Sequence, residues 1–185
     1  MDYIIVIVFF VLGSILFFIT TAFNKIIKER NQMNEAWAII DVFLKKRYGL
    51  IPGLVDVVKG YAAYEKSALE EIIHIRDDAA QYQTIESKSI IETKLERGLG
   101  HLFIAVEKYP ELQGDRNFLR LQQQISEIEN DLEKVRRYYN GTVRIYNTHI
   151  ESFPANIIAG LFNFRKGSFF QLNNKEKEIS SMSFQ

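Results

Sequence analysis

The chain has 185 residues, and its 23 Lys and Arg balance its 23 Asp and Glu. That balance leaves no basic excess to hold nucleic acid and no acidic excess to keep the chain unfolded. Cysteine is absent, which excludes disulfides, thiolate metal sites and cysteine nucleophiles, and the only prolines are Pro52, Pro110 and Pro154, so long stretches are free to run as helix.

Residues 3–23, YIIVIVFFVLGSILFFITTAF, carry no charge. As a helix they would extend about 30 Å, the thickness of a bilayer core. A core helix of a soluble domain is rarely apolar on every side for so long. A cleaved signal is the rival reading, with Thr20 and Ala22 at plausible cleavage offsets. Against it stand the absence of Lys or Arg before the stretch and its length. Lys25, Lys28 and Arg30 follow the span, whereas only Asp2 and the terminal amine precede it. Positive flanks stay inside, which predicts a single-pass cell-membrane protein with the N-terminus outside and the body in the cytoplasm.

Helical spacing continues through Ile26, Arg30, Met33, Trp37, Ile40 and Leu44. Gly49 is expected to end this helix and Pro52 to open the next. The second helix runs through Leu54, Val58, Tyr61, Leu69 and Ile72 and fades near Asp77 and Asp78. Residues 77–88 are polar, weakly periodic and expected as a loop. A third helix uses Ile91, Leu95, Leu102 and Val106 and stops before Pro110. Gly98 and Gly100 weaken it unless another helix packs closely there. Residues 111–116 form the turn, with Asn117 as N-cap of the fourth helix.

That fourth helix carries the strongest pattern in the chain. Phe118, Leu121, Ile125, Ile128, Leu132, Val135, Tyr139, Thr142 and Tyr146 alternate steps of three and four. Such a seven-residue repeat presents one stripe to other helices. At 1.5 Å per residue, residues 117–150 would extend about 50 Å. A helix of that length needs partners to cover its stripe. Pro154 ends it. Residues 155–172 are rich in phenylalanine and are expected to complete the core, with the lipid surface as the alternative. Residues 173–185 are polar and expected as a disordered tail.

Arg30–Asn31, Ala36-Trp37, Ile40-Asp41, Leu44-Lys45-Lys46-Arg47-Tyr48 and Leu50-Ile51-Pro52 form a recognisable series. Val58-Lys59-Gly60-Tyr61-Ala62 with Glu65, Tyr109-Pro110, Asn117-Phe118, Glu129-Asn130, Arg136-Arg137, Tyr139-Asn140, Tyr146-Asn147 and Phe153-Pro154 continue it. With these motifs the chain resembles the LemA family of bacterial membrane-anchored proteins. Phe43 stands where a polar residue is expected, and Lys46 where arginine is usual. The resemblance implies a membrane helix followed by an antiparallel bundle. It implies no enzymatic activity, cofactor or catalytic residue. It also implies relatives active in membrane organisation, including magnetosome formation.

The residues themselves offer little catalytic chemistry. His74, His101 and His149 are scattered, and only Glu71 stands three before a histidine, once. Metal sites on bundles need such pairs on facing helices. No catalytic, cofactor-binding or metal residue is therefore predicted. Lys45-Lys46-Arg47 reads as a basic last turn complementing the helix dipole. Beside the apolar stripes run polar flanks, of which Asn31, Asp41, Glu129, Arg136, Asn140 and Asn147 are candidates for interaction or structure. Asp41 and Arg136 are expected to pair.

The expected architecture is all-α. A transmembrane anchor over 1–23 continues into an antiparallel up-and-down four-helix bundle over 24–172. The expected function is a non-enzymatic membrane scaffold or adaptor with an unidentified protein partner. The alternative is a ligand-binding or enzymatic module that uses the polar flank.

Overall fold

The computed structural model describes residues 2–61, 66–82 and 84–171, and every regular element in them is a helix. The elements are α1 (Asp2–Lys59), α2 (Lys66–Gln81), α3 (Ile85–Val106), α4 (Pro110–Gln113), α5 (Arg116–Glu151) and α6 (Ala155–Leu161). The all-α class and the long apolar first helix agree with the expectation from sequence. Ala62, Glu65 and the tail over 173–185 lie outside the described residues.

The break expected at Gly49 and Pro52 is absent, and α1 runs through both to Lys59. An interior proline costs about 3 kcal/mol and presses on the carbonyl four residues back, here that of Tyr48. Around it Tyr48, Ile51, Leu54, Val55 and Val58 are all buried. Each aliphatic side chain so buried contributes about 1.5–3 kcal/mol. One continuous buried face therefore outweighs one poor residue. The helix ends about two turns beyond Pro52, where the Gly60 and Tyr61 amides donate to the carbonyls of Val57 and Val58 at 3.2 and 3.1 Å.

The chain divides into two compact units. The first comprises Met1–Ile39 and Arg137–Ser168, which are the head of α1, the tail of α5, α6 and the segment after it. Ala22 and Ile26 on α1, Tyr146 and Ile150 on α5, and Ala155, Ile158 and Ala159 on α6 form its core. Asn163 adopts a positive φ of 54°, and the Phe164 amide donates to the Ala159 carbonyl at 2.9 Å, which turns the chain back. Residues 165–168 then lie along α5. The Tyr146 and Tyr139 hydroxyls donate to the carbonyls of Arg165 (2.9 Å) and Ser168 (2.7 Å). Gly167 fits there because a Cβ would run into the Met33 sulfur.

The second unit comprises Ile40–Arg136 and Phe169–Gln185, the latter described to residue 171. It contains the tail of α1, α2, α3, α4 and the head of α5. Most of the loop expected over 77–88 is helix instead: α2 runs to Gln81, and α3 starts at Ile85, where Thr84 caps it by accepting from the Ser87 amide at 3.2 Å. A connection that short makes α2 and α3 antiparallel neighbours. A Cβ at Gly98 would lie 3.3 Å from Ile72 of α2, so the close packing that would justify a glycine in α3 is present at Gly98. The turn before α5 holds the one-turn helix α4. The N-cap of α5 is Asp115, not Asn117. The Asp115 carboxylate accepts from the amides of Asn117 and Phe118 at 2.8 and 2.9 Å, and from the Tyr61 hydroxyl at 2.9 Å. A carboxylate suits the positive end of a helix better than an amide does. The Phe118 amide and the Tyr61 hydroxyl, with the Asn117 amide, hold the Asp115 carboxyl below its ordinary range against the opposing desolvation.

Candidate functional site

The buried face of α1 carries a charge at its centre. Ile40, Leu44, Arg47, Ile51, Leu54 and Val58 step by four and three, and all are buried. Helix period alone thus places the Arg47 guanidinium inside the second unit, among α3 and α5. Its amino groups pair with Glu92 of α3 and Glu129 of α5. The Tyr48 hydroxyl donates to the other oxygen of Glu92. The side chains of Arg47 and Glu92 are only 3% and 1% exposed, whereas Glu129 is 33% exposed. An isolated charge at that depth would cost several kcal/mol, so the arrangement stands only as a set. Burial pushes the Tyr48 hydroxyl up to about 12, against the opposing pull of Arg47, which keeps it a donor. Lost hydration, together with the Glu129 charge, pushes the Glu96 carboxyl above its ordinary value, while Arg136 and Arg47 pull it down. The set joins three helices by charge-assisted bonds.

The polar-flank residues divide between the units. Asp41 does not meet Arg136. Its carboxylate is held by Lys88 of α3 and Lys45 of its own helix, both at 2.7 Å. Two cations within reach, one of them four residues along the same helix, satisfy it without the arginine. Burial opposes ionisation of Asp41, but Lys45 and Lys88 still hold its carboxyl below the ordinary value. Glu129 serves the Arg47 set, and Arg136 is half-buried with its charge felt at Glu96. In the first unit Asn31 is exposed and Asn140 half-buried. Asn147 clamps Gly167: its amide nitrogen donates to the Gly167 carbonyl at 2.9 Å, and its amide oxygen accepts from the Gly167 N–H at 2.8 Å.

The histidines do not converge. His149 bonds through Nδ1 to the buried Glu29 at 2.6 Å, His101 lines a groove between α2 and α3, and His74 is exposed. Among the described residues, no group of three or more His, Cys, Asp or Glu side chains is placed to hold a metal ion. The α2–α3 groove, about 420 Å³, has an isoleucine floor between acidic Glu71 and Asp78 and basic Lys94 and Arg97. No polar-flank residue lines it.

Sequence reasoning passed over Arg47, Glu92 and Glu29. Each sits at a stripe position of its helix, so the signal was a charge in phase with apolar residues. The Lys45-Lys46-Arg47 run hid the difference between its members. Lys45 is exposed beside Asp41, and Lys46 lies over the Phe43 ring at 5.1 Å, whereas Arg47 points inward.

These features define an all-α protein whose first helix begins with a segment long and apolar enough to cross a membrane, none of it buried. Its helical body is pinned by a buried Arg–Glu set. The chain belongs to the LemA family, whose profile matches residues 36–184. It is 23% identical over 174 residues to a protein named LemA from Metamycoplasma hominis, covering 92% of this chain and 80% of that one. It is also 30% identical over 73 residues to proteins named magnetosome protein MamQ 2 and MamQ 1 from Paramagnetospirillum magneticum. That match covers 40% of this chain and only 27% of either magnetosome protein.

Proposed function

We propose that the chain is a membrane-anchored, non-enzymatic scaffold, with residues 3–23 as a single transmembrane anchor, the N-terminus outside and the helical body in the cytoplasm. The observation that carries the reading is the head of α1. Every large apolar side chain from Tyr3 to Phe18 is exposed, and the first cations, Lys25, Lys28 and Arg30, come only after the span. Water cannot hold such a surface as a monomer, and a bilayer can. The cations set the orientation. The body supports a holding role, because its buried charges are spent on one another. The names of the two magnetosome relatives support a part in membrane organisation, with a protein partner bound by the body.

Protease added to intact cells tests the orientation. The body should survive, while an epitope placed before Tyr3 should be reachable from outside. Digestion of the body in unbroken cells would overturn the orientation. A mature N-terminus near Phe23 would overturn the anchor.

A further inference from the structure

We propose that α6 and the turn before it form a second membrane contact, lying in the headgroup layer beside the end of the span and recognising anionic phospholipid. This rests on the reading of residues 3–23 as an anchor. The sequence of α6, ANIIAGL, carries no charge. One face, Ala155, Ile158 and Ala159, packs on Ala22 and Ile26 of α1. The other face should be polar in a water-facing helix. Instead Phe153, Ile157 and Leu161, spaced four apart, are 81%, 56% and 76% exposed, and Phe162 is 54% exposed.

Depth identifies the occupant. The Phe162 ring lies 4.8 Å from that of Phe23, the last residue of the span. The turn residues Phe153 and Pro154 share a cavity of about 270 Å³ with Phe18, Thr21 and Lys25. Phe18 lies five residues inside the end of the span, or about 7–8 Å along a helix axis. Interfacial helices bury their apolar face about 5–10 Å deep. The patch is thus continuous with the membrane-spanning surface at the level where such helices lie.

Cations frame it on the water side. Lys25 and Lys28 are exposed on α1, Arg30 lies 5.4 Å from the Phe164 ring centre, and Arg165 is exposed. Lys166 is paired with Glu151. This layering, rings inward and cations outward, matches an acyl boundary beneath anionic phosphates.

The absence of cysteine makes the test direct. Single cysteines replace Leu161, Leu12 at mid-span, and Glu127 on an exposed face of α5. Each full-length variant carries a fluorophore in vesicles of phosphatidylcholine and phosphatidylglycerol. Nitroxide lipids quench it, with the nitroxide either near the headgroup or deep in the chain. The Leu161 label should be quenched several-fold more by the shallow nitroxide, the Leu12 label by the deep one, and the Glu127 label by neither. A quenched Leu12 label beside an unquenched Leu161 label overturns this proposal and leaves the anchor standing. An unquenched Leu161 label with a blue-shifted emission also overturns it, because a second copy or a protein then covers the face. If the Leu12 label too is unquenched, the anchor reading fails and this one with it.

Discussion

Replacing Arg47 by methionine tests the buried ion set directly. The substitution keeps most of the aliphatic volume and removes the cation, leaving Glu92 at 1% exposure with only the Tyr48 hydroxyl as partner. Stranding one member of a buried pair costs roughly 3–5 kcal/mol. At about 2–4 °C per kcal/mol for a chain of this size, the midpoint of thermal unfolding should fall by about 6–20 °C. Glu129→Gln is the internal comparison. Its carboxylate is 33% exposed and can be rehydrated, so losing that charge should cost under about 1 kcal/mol. Arg47→Met with Glu92→Leu removes both buried charges and should recover most of the loss, giving a coupling well outside additivity. Circular dichroism of the detergent-solubilised full chain reads these three variants and the Glu92→Leu single that closes the cycle. If Arg47→Met lowers the midpoint no more than Glu129→Gln does, the guanidinium is hydrated and the reasoning is wrong.

Three further outcomes follow from the same geometry. Asp41 has a folded value held below the ordinary 3.8, so its contribution to stability is fully present above that pH and is lost as pH falls through the folded value. Asp41→Asn should therefore flatten the acid limb of a stability–pH curve below about pH 4, and an unchanged limb would show that Lys45 and Lys88 do not hold it. Asn147→Ala removes both bonds to Gly167 and should cost roughly 1–3 kcal/mol. Hydrogen exchange at the Gly167 amide should quicken while that of α3 stays unchanged. Leu132→Ala, buried on the α5 stripe, should cost about 2–5 kcal/mol in denaturant unfolding.

Much of this architecture is legible in the sequence, because period and length are local properties. The α5 stripe expected from Phe118 to Tyr146 is the buried or half-buried face, and Gly98 marks the close approach of α2. Boundaries were less legible. Pro52 and Gly49 are poor helix residues, and a local reading stops there, but the helix is kept by burial of Ile51, Leu54 and Val55 against partners that no window of sequence contains. Thr84 shortens the expected loop in the same way. Its cap is a local signal, but its effect is to hold together two helices whose pairing is tertiary.

The misplacement of the polar pair has a physical cause that points to a better rule. The Asp41–Arg136 expectation took charges one residue past the stripes, where water competes and a nearby lysine satisfies an aspartate equally well. Charges on the stripes have no such freedom. On α1 the buried or half-buried face runs 26, 29, 33, 36, 40, 44, 47, 51, 54 and 58, one residue aside from Arg30 and Trp37 as first expected, with Glu29 and Arg47 in phase with its apolar members. On α3 the face runs 92, 95, 99, 102 and 106, so Glu92 is in phase too, and on α5 His149 falls three past Tyr146. The structure joins Arg47 to Glu92 and Glu29 to His149. Polar and charged side chains, each at a position that the apolar period drives inward, lower their cost by meeting. Stripe-phase charges therefore point to contacts between helices, and the flank residue Glu129 joins one of them while its carboxylate stays one-third exposed.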